Sequence, residues 1–316
     1  MNAPPLLISF SSIDSLIESL PTSTREVHEA ELRSLVERGL PPAVSTRTVS
    51  TLFGVSAEFI GAMSRVPQRY YRVFKIRKGK KTRQIHAPRV ALKIVQRWIG
   101  FHLARAVATP ACVFGFVPGK GVVEAATVHC NSEWIYSLDL RDFFPSIGAD
   151  RVSAALMTLG YSKHASNLIT RLCTLQGKLP QGSPASPALS NLVFVTTDNA
   201  LLTIAEKLGV RYSRYADDLV FSGNGIPPDN LTTKVRNLLL QHDWQIAEEK
   251  EHIAKLPARL KVHGLLVHGS KPRLTKGYRN KIRAFRHLVE VNKIKPDDLS
   301  KIRGHLAYSD HIHNKS

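Results

Sequence analysis

Two short segments, far apart in the chain, constrain the fold more than any other feature: each is strand-like and each runs into carboxylates. Trp134-Ile135-Tyr136-Ser137-Leu138-Asp139 is an apolar, β-prone run that stops on an acid, with Asp142 and Phe143-Phe144-Pro145-Ser146 just beyond it. Val210–Tyr215 and Leu219–Phe221 flank Ala216-Asp217-Asp218, so these acids fall at the turn of a predicted hairpin. Aspartate is a common turn residue, and one such hairpin carries no chemistry by itself. A second carboxylate in a similar setting changes the reading. If the strands are neighbours in one sheet, Asp139 and Asp217 converge at its edge. Close carboxylates repel unless cations lie between them, and an oxygen-only donor set suits Mg2+. Two such ions can activate a hydroxyl and stabilise a leaving oxygen in phosphoryl transfer, which needs charge and position rather than a covalent nucleophile.

A third element lies between the two. Leu179-Pro180-Gln181-Gly182-Ser183-Pro184-Ala185-Ser186-Pro187 is forced to turn by its prolines and glycine, and ALSNLVFVTTDNALLTIAEKLG after it predicts a helix. A polar turn entering a helix can present backbone N–H groups to a substrate.

Charge indicates the partner. Lysine and arginine number 44 against 25 acids in 316 residues, a formal charge of +19, which favours polyanions and nucleic acid first. The excess is uneven. Residues 1–64 hold seven acids and are net negative. They read as helices, with Ser12 and Asp14 near the start of one, Thr24 ahead of EVHEAELRSLVERG, and a stop at Gly39 and Pro41-Pro42. Residues 65–105 hold 13 Lys or Arg and no acid. There Tyr71–Ile76, Gly79 and Arg83-Gln84-Ile85 predict a β-hairpin with a basic tip. Unopposed like charges repel, so this run suits a phosphate-bearing partner better than a solvated face of mixed sign. Residues 256–316 hold 14 Lys or Arg against 4 acids. In that stretch YRNKIRAFRHLVEVNK predicts a helix with Tyr278, Ile282, Phe285 and Val289 on an apolar stripe and Arg279, Lys281, Arg283 and Arg286 around the rest.

Cys112, Cys130 and Cys173 match no zinc spacing and read as buried free thiols. The start, MNAPPLLISFSS, has no basic segment ahead of an apolar core. No apolar run reaches the roughly 18 residues that span a bilayer. A cytoplasmic protein with no membrane partner is expected.

Strand-D-x-x-x-F-F, then LPQG-x-x-x-SP, then YADD occur intact and in that order, and together they resemble the motifs of reverse transcriptases. The resemblance covers about residues 65–290, and within the family it is closest to the bacterial retron enzymes. It implies Asp139, Asp217 and Asp218 as a catalytic triad holding two Mg2+ ions, and Lys250 as the lysine near the leaving pyrophosphate. Phe144 resembles the steric gate against a ribonucleotide 2′-hydroxyl, with Phe143 the core aromatic. Gln181 and Gly182 resemble the segment lining the incoming dNTP, and Arg83, with Lys75 or Arg77, the finger residues that hold its triphosphate. Retron enzymes carry an N-A-x-x-H element, here Ala125-Ala126-Thr127-Val128-His129, and a V-T-G element, here Val262-His263-Gly264. Both are altered, which bears on RNA contacts at His129, Val262, His263 and Gly264 rather than on polymerase chemistry. The basic helix with Arg279, Arg283 and Arg286 would bind RNA through phosphates.

The implied fold class is α/β (α+β), a right-hand polymerase with fingers, a ferredoxin-like antiparallel palm and a small helical thumb. Its parts are an N-terminal helical extension, 1–64, fingers and palm, 65–255, and a basic thumb, 256–316. The implied activity is RNA-directed DNA synthesis on part of a cognate structured non-coding RNA, which is both template and primer. The product is branched RNA-linked DNA, made alongside an effector protein in antiphage defence. Two rivals remain: a stand-alone or CRISPR-linked reverse transcriptase without branched priming, and a non-catalytic RNA-binding toxin–antitoxin component.

Overall fold

The computed structural model describes residues 9–79 and 81–315, and the chain divides into two compact units. One comprises residues up to Thr109 together with Asp142–Thr196; the other comprises Pro110–Arg141 together with Thr197 onward.

In the first unit, serines start most of the early helices by accepting the first free backbone N–H groups. Ser12 and Ser15 form a reciprocal capping box at helix Ile13–Glu18, and Ser45 and Ser56 cap Thr46–Phe53 and Ala57–Arg65. The helix expected from Glu26 begins four residues earlier, as Thr22–Glu37, directly behind Pro21. The basic hairpin forms in full: β1 (Tyr71–Lys78) pairs antiparallel with β2 (Lys81–Pro88), from Tyr71↔Pro88 to Lys78↔Lys81. Gly79 takes φ +62° at the turn. Helix Val90–Ala106 follows and buries Leu92, Val95, Trp98, Ile99 and Leu103, with helices Ala149–Thr158 and Lys163–Cys173 completing the unit. The long helix Ser186–Lys207 starts here and ends in the other unit. It has the length and composition of a membrane span, but 56% of its most apolar window is buried in the protein, which makes it a core helix.

The second unit is built on a four-stranded antiparallel sheet of β3 (Trp134–Asp139), β4 (Arg211–Tyr215), β5 (Asp218–Gly223) and β6 (His252–Lys255). Its spatial order is β4-β5-β3-β6. With the long helix between β3 and β4 and helix Leu231–Gln241 between β5 and β6, this is the split β-α-β arrangement of ferredoxin-like sheets. Trp134, Ile135, Tyr136 and Leu138 are buried, so the central strand is covered on both faces. A small three-stranded sheet, β7 (Lys261–Val262), β8 (Leu265–Leu266) and β9 (Arg273–Leu274), follows. Val262, Leu265 and Leu274 share one apolar cluster with Val123, Ile135, Val220 and Ile312. The C-terminal residues thus share a core with the central sheet. Helices Lys276–Glu290 and Pro296–Lys315 end the described chain.

Candidate active site

Strand register decides which carboxylates meet. Tyr215 and Asp218 are direct partners across β4 and β5, leaving Ala216 and Asp217 as a two-residue turn. Ala216 takes φ +59°, the positive value such tight hairpins demand. On the other side β3 and β5 pair from Trp134↔Gly223 to Asp139↔Asp218. The residue facing Asp139 in the ladder is therefore Asp218, and the charge of Asp217 acts on the Asp139 carboxyl at the same sheet edge. Asp217 stays close through its backbone, its carbonyl accepting from Leu140 N at 3.0 Å.

The two facing acids are shifted in opposite directions. Burial raises the affinity of the Asp139 carboxyl for a proton, and the charges of Asp217 and Asp218 raise it further. Lys250 opposes both, its Nζ lying 2.5 Å from Asp139 Oδ1, and the net result is a carboxyl pushed above the usual range. Burial acts on Asp218 in the same sense, but His263 and Lys250 outweigh it and hold Asp218 below the usual range. Two carboxylates this close repel, and their all-oxygen donor set fits a hard divalent cation. Among the described residues no three acid, histidine or cysteine side chains converge as a ready-made cage. The fit therefore rests on the facing carboxylates.

The turn that carries them is braced from behind. The segment Cys112–Gly115 runs beside β4: Arg214 N donates to Cys112 O at 2.8 Å and Phe114 N to Arg214 O at 2.9 Å. Gly115 packs so tightly on the backbone of Tyr215 and Ala216 that a Cβ there would clash. Arg214 and Asp198 form a buried, two-pronged ion pair under the same turn.

Expected RNA contacts fare unevenly. His129 is completely buried against β4 and β5, with Ser213 Oγ and Ser222 Oγ each 2.7 Å from a ring nitrogen. The Val262 side chain lies in the apolar cluster. His263, at φ +48°, is nearly buried against Tyr215 and has Nδ1 3.6 Å from Asp218 Oδ2. Gly264 follows at φ +84°, and Val262 pairs with Leu265, so His263 and Gly264 form a two-residue turn that sets His263 beside Asp218. Arg279, Arg283 and Arg286 are exposed on their helix, with Arg286 paired to Asp310. Of the predicted apolar stripe, Ile282 is buried but Val289 is 44% exposed; half-buried Leu288 takes its place because the face drifts over the last turn.

Burial of His129 has a measurable consequence. Burial, with lesser contributions from Arg211 and His263, depresses its pKa to about 3. Between that value and the ordinary 6.5, the unfolded chain takes up a proton that the folded protein refuses. Stability is therefore lost as pH falls below the unfolded value. From pH 7 to pH 5 the loss through this residue is about 2 kcal/mol. Urea unfolding of wild type and His129→Gln at both pH values checks it: wild type should lose that much more than the variant, and equal losses would refute the assignment.

Other expected residues lie in the first unit. Phe143 is buried against Phe194, 5.9 Å between rings, while Phe144 stays half-exposed. Gln181 O accepts from His86 N at 2.9 Å, docking the proline-rich turn on β2. Gly182 sits at φ +127°, where a Cβ would come within 2.8 Å of His86 O. The hairpin does not unite its cations on one face. Lys75 faces Gln84 and Arg77 faces Thr82, whereas Arg83 pairs with Ile76 on the opposite side. Sequence reading missed Gln96, wholly buried, which donates to Tyr71 Oη and Leu172 O and accepts from Ser183 Oγ, each at 2.7 Å. That fully satisfied amide ties the turn to β1 and a neighbouring helix. A polar residue on the apolar face of helix Val90–Ala106 was its one sequence signal.

Known proteins resemble this chain along most of its length. The family described as Reverse transcriptase (RNA-dependent DNA polymerase) matches residues 76–281. The chain is 28% identical over 301 residues to the retron Ec86 reverse transcriptase of Escherichia coli, covering 93% of this chain and 92% of that protein. It is 30% identical over 262 residues to the retron Se72 reverse transcriptase of Salmonella heidelberg, covering 80% and 68%. Among solved structures, apo telomerase from Candida tropicalis shares the fold at TM-score 0.50 and 8% identity, over 66% of this chain and about half (48%) of that one.

Proposed function

This chain belongs to the reverse transcriptase family and is an RNA-directed DNA polymerase, and we propose that it serves a retron. In this reading it copies part of a cognate structured non-coding RNA into single-stranded DNA that stays joined to the RNA through a branched linkage. It acts in the cytoplasm, with an effector protein, in defence against phage. The relatives' retron names support the subtype, and the facing pair Asp139–Asp218 with Lys250 on Asp139 is the observation that carries the chemistry.

Asp139, Asp217 and Asp218 would hold two Mg2+ ions, whose charge would activate the attacking hydroxyl and stabilise the leaving pyrophosphate oxygen. Lys250 compensates Asp139 and in this reading supplies the departing polyphosphate with a cation or proton. Gln181 and Gly182 present backbone to the dNTP. Arg83 on one face of the hairpin, or Lys75 and Arg77 on the other, takes the triphosphate. Fingers, palm and thumb correspond in this reading to 65–255 and 256–316, with 1–64 as an extension. Arg279, Arg283 and Arg286 grip RNA phosphates, and His263 and Gly264 contribute near the acids.

Phe144 acts as the gate against a 2′-hydroxyl. Phe144→Ala should raise ribonucleotide incorporation relative to dNTP by roughly 100-fold, the scale of a few kcal/mol of lost steric exclusion. Competition of labelled rNTP and dNTP in primer extension measures it, and unchanged selectivity would remove the assignment.

The test of the whole reading is extension on RNA co-purified with the protein from its native host, with Mg2+ and dNTPs. DNA that remains attached to RNA on a denaturing gel, and shortens on ribonuclease treatment, is the expected result. DNA with a free 5′ end on every template would leave a polymerase without branched priming.

A further inference from the structure

The strand entering the carboxylate turn carries a charged side chain with no access to water. Arg214 and Asp198 are both fully buried. Arg214 Nε donates to Asp198 Oδ1 at 2.8 Å and Nη2 donates to Oδ2 at 2.6 Å, while Tyr212 Oη donates to Oδ1 at 3.0 Å. The third guanidinium nitrogen is committed elsewhere: Nη1 donates to the carbonyl of Ala216 at 3.0 Å. Ala216 is the left-handed residue immediately before Asp217.

Stability alone does not account for this arrangement. Removing two charges from water costs several kcal/mol per ion, and well-packed apolar residues in their place are often as stable or more so. Geometry does account for it. A guanidinium is a rigid planar fork, so fixing two of its nitrogens on Asp198 fixes the direction of the third. A lysine could satisfy the charge but could not hold a carboxylate and a carbonyl in one plane. The backbone of Arg214 is itself pinned on both sides, N to Cys112 O and O to Phe114 N, so the fork starts from a fixed base.

We propose that Asp198 and Arg214 are positioning residues for the polymerase reaction: Asp198 aims the guanidinium, and Arg214 sets the Ala216 carbonyl and thereby the direction in which the turn presents Asp217 and Asp218. The proposal rests on the polymerase reading of those two acids. It assigns a task to a helix residue 18 positions before the turn, one argued to act through Arg214.

The test replaces both charges together, Asp198→Leu with Arg214→Met in the full chain, so that no lone charge is left buried. Arg214→Lys is the second variant, keeping the charge but not the fork. Both are assayed at a temperature where circular dichroism shows them folded. Unchanged KM for dNTP and unchanged RNA affinity, with kcat lowered roughly 100-fold, is the expected result, the scale of a reacting group displaced by about 1 Å. A merely structural pair would lower the melting temperature and leave kcat of the folded fraction intact. Wild-type kcat in the folded double variant, or in Arg214→Lys, would overturn the proposal. A wild-type enzyme inactive on every template would instead overturn the polymerase reading on which it rests.

Discussion

Replacing Asp217 and Asp218 together by asparagine is expected to abolish DNA synthesis while leaving the fold and RNA binding intact. Asparagine keeps the shape of each side chain, and neither acid belongs to the buried ion pair beneath the turn. Asp218 is about half exposed, 49% at its side chain, so its neutral analogue leaves no core group unsatisfied. What disappears is charge. One preorganised electrostatic group lost from an active site costs about 100- to 1,000-fold in rate, so losing two of three carboxylates should cost at least that. A secondary effect should accompany it: the charges of Asp217 and Asp218 help push the Asp139 carboxyl upward, and the double variant should relax it toward its ordinary range. Primer extension and thermal melting, run in parallel, decide the matter. A variant keeping a tenth of wild-type synthesis would end the assignment of these carboxylates. A variant that fails to melt cooperatively would show that the acids serve the fold instead.

Gly115→Ala is the second large effect, and it arises from space alone. A Cβ on Gly115 would lie 2.9 Å from the carbonyl carbon of Tyr215 and closer still to Ala216 N. Both are backbone atoms in a hairpin fixed by ladder hydrogen bonds, so neither can swing aside as a side-chain end would. Overpacking of this kind costs about 1–3 kcal/mol, occasionally more. Because the displaced atoms lead directly into Asp217, activity should fall by roughly 100-fold in protein that remains folded. Gly277→Ala is the matched control. Nothing lies within 4 Å of its would-be Cβ, and the helix Lys276–Glu290 around it should gain up to about 1 kcal/mol. Equal activity and melting in Gly115→Ala and wild type would show that the Cys112–Gly115 segment yields freely and does not brace the turn.

The division between what the residue pattern disclosed and what it hid follows range of interaction. The hairpins at 71–88 and 211–223 were legible because alternation and turn chemistry are local. Register was not, since a shift of one residue exchanges Asp217 for Asp218 opposite Asp139, and only the two-residue turn settles it. The same period-two rule separates Arg83 from Lys75 and Arg77, which composition had grouped as one basic tip. His129 entered only through the resemblance, as the last residue of Ala125-Ala126-Thr127-Val128-His129. Its true partners, Ser213 and Ser222, lie 84 and 93 residues away on two strands, and no local signal announces them. Arg214 and Asp198 were hidden for the opposite reason. In a chain with 44 Lys or Arg, one more arginine beside a tyrosine invites a nucleic-acid reading, although both it and its partner sit within largely apolar surroundings.

The strand order of the sheet also bears on how the protein is made. A ribosome that has just completed β3 has synthesised Asp139 but none of the groups that surround it. Both strands that flank β3 come later: β5, which carries Asp218, and then β6, which follows Lys250. Pairings this distant in sequence form slowly and late. Until residues through Lys255 have emerged, the nascent chain has a long basic hairpin, able to attract RNA, but no assembled carboxylate edge. The basic hairpin is thus complete before the carboxylate edge can assemble, and the order is written into the topology of four strands.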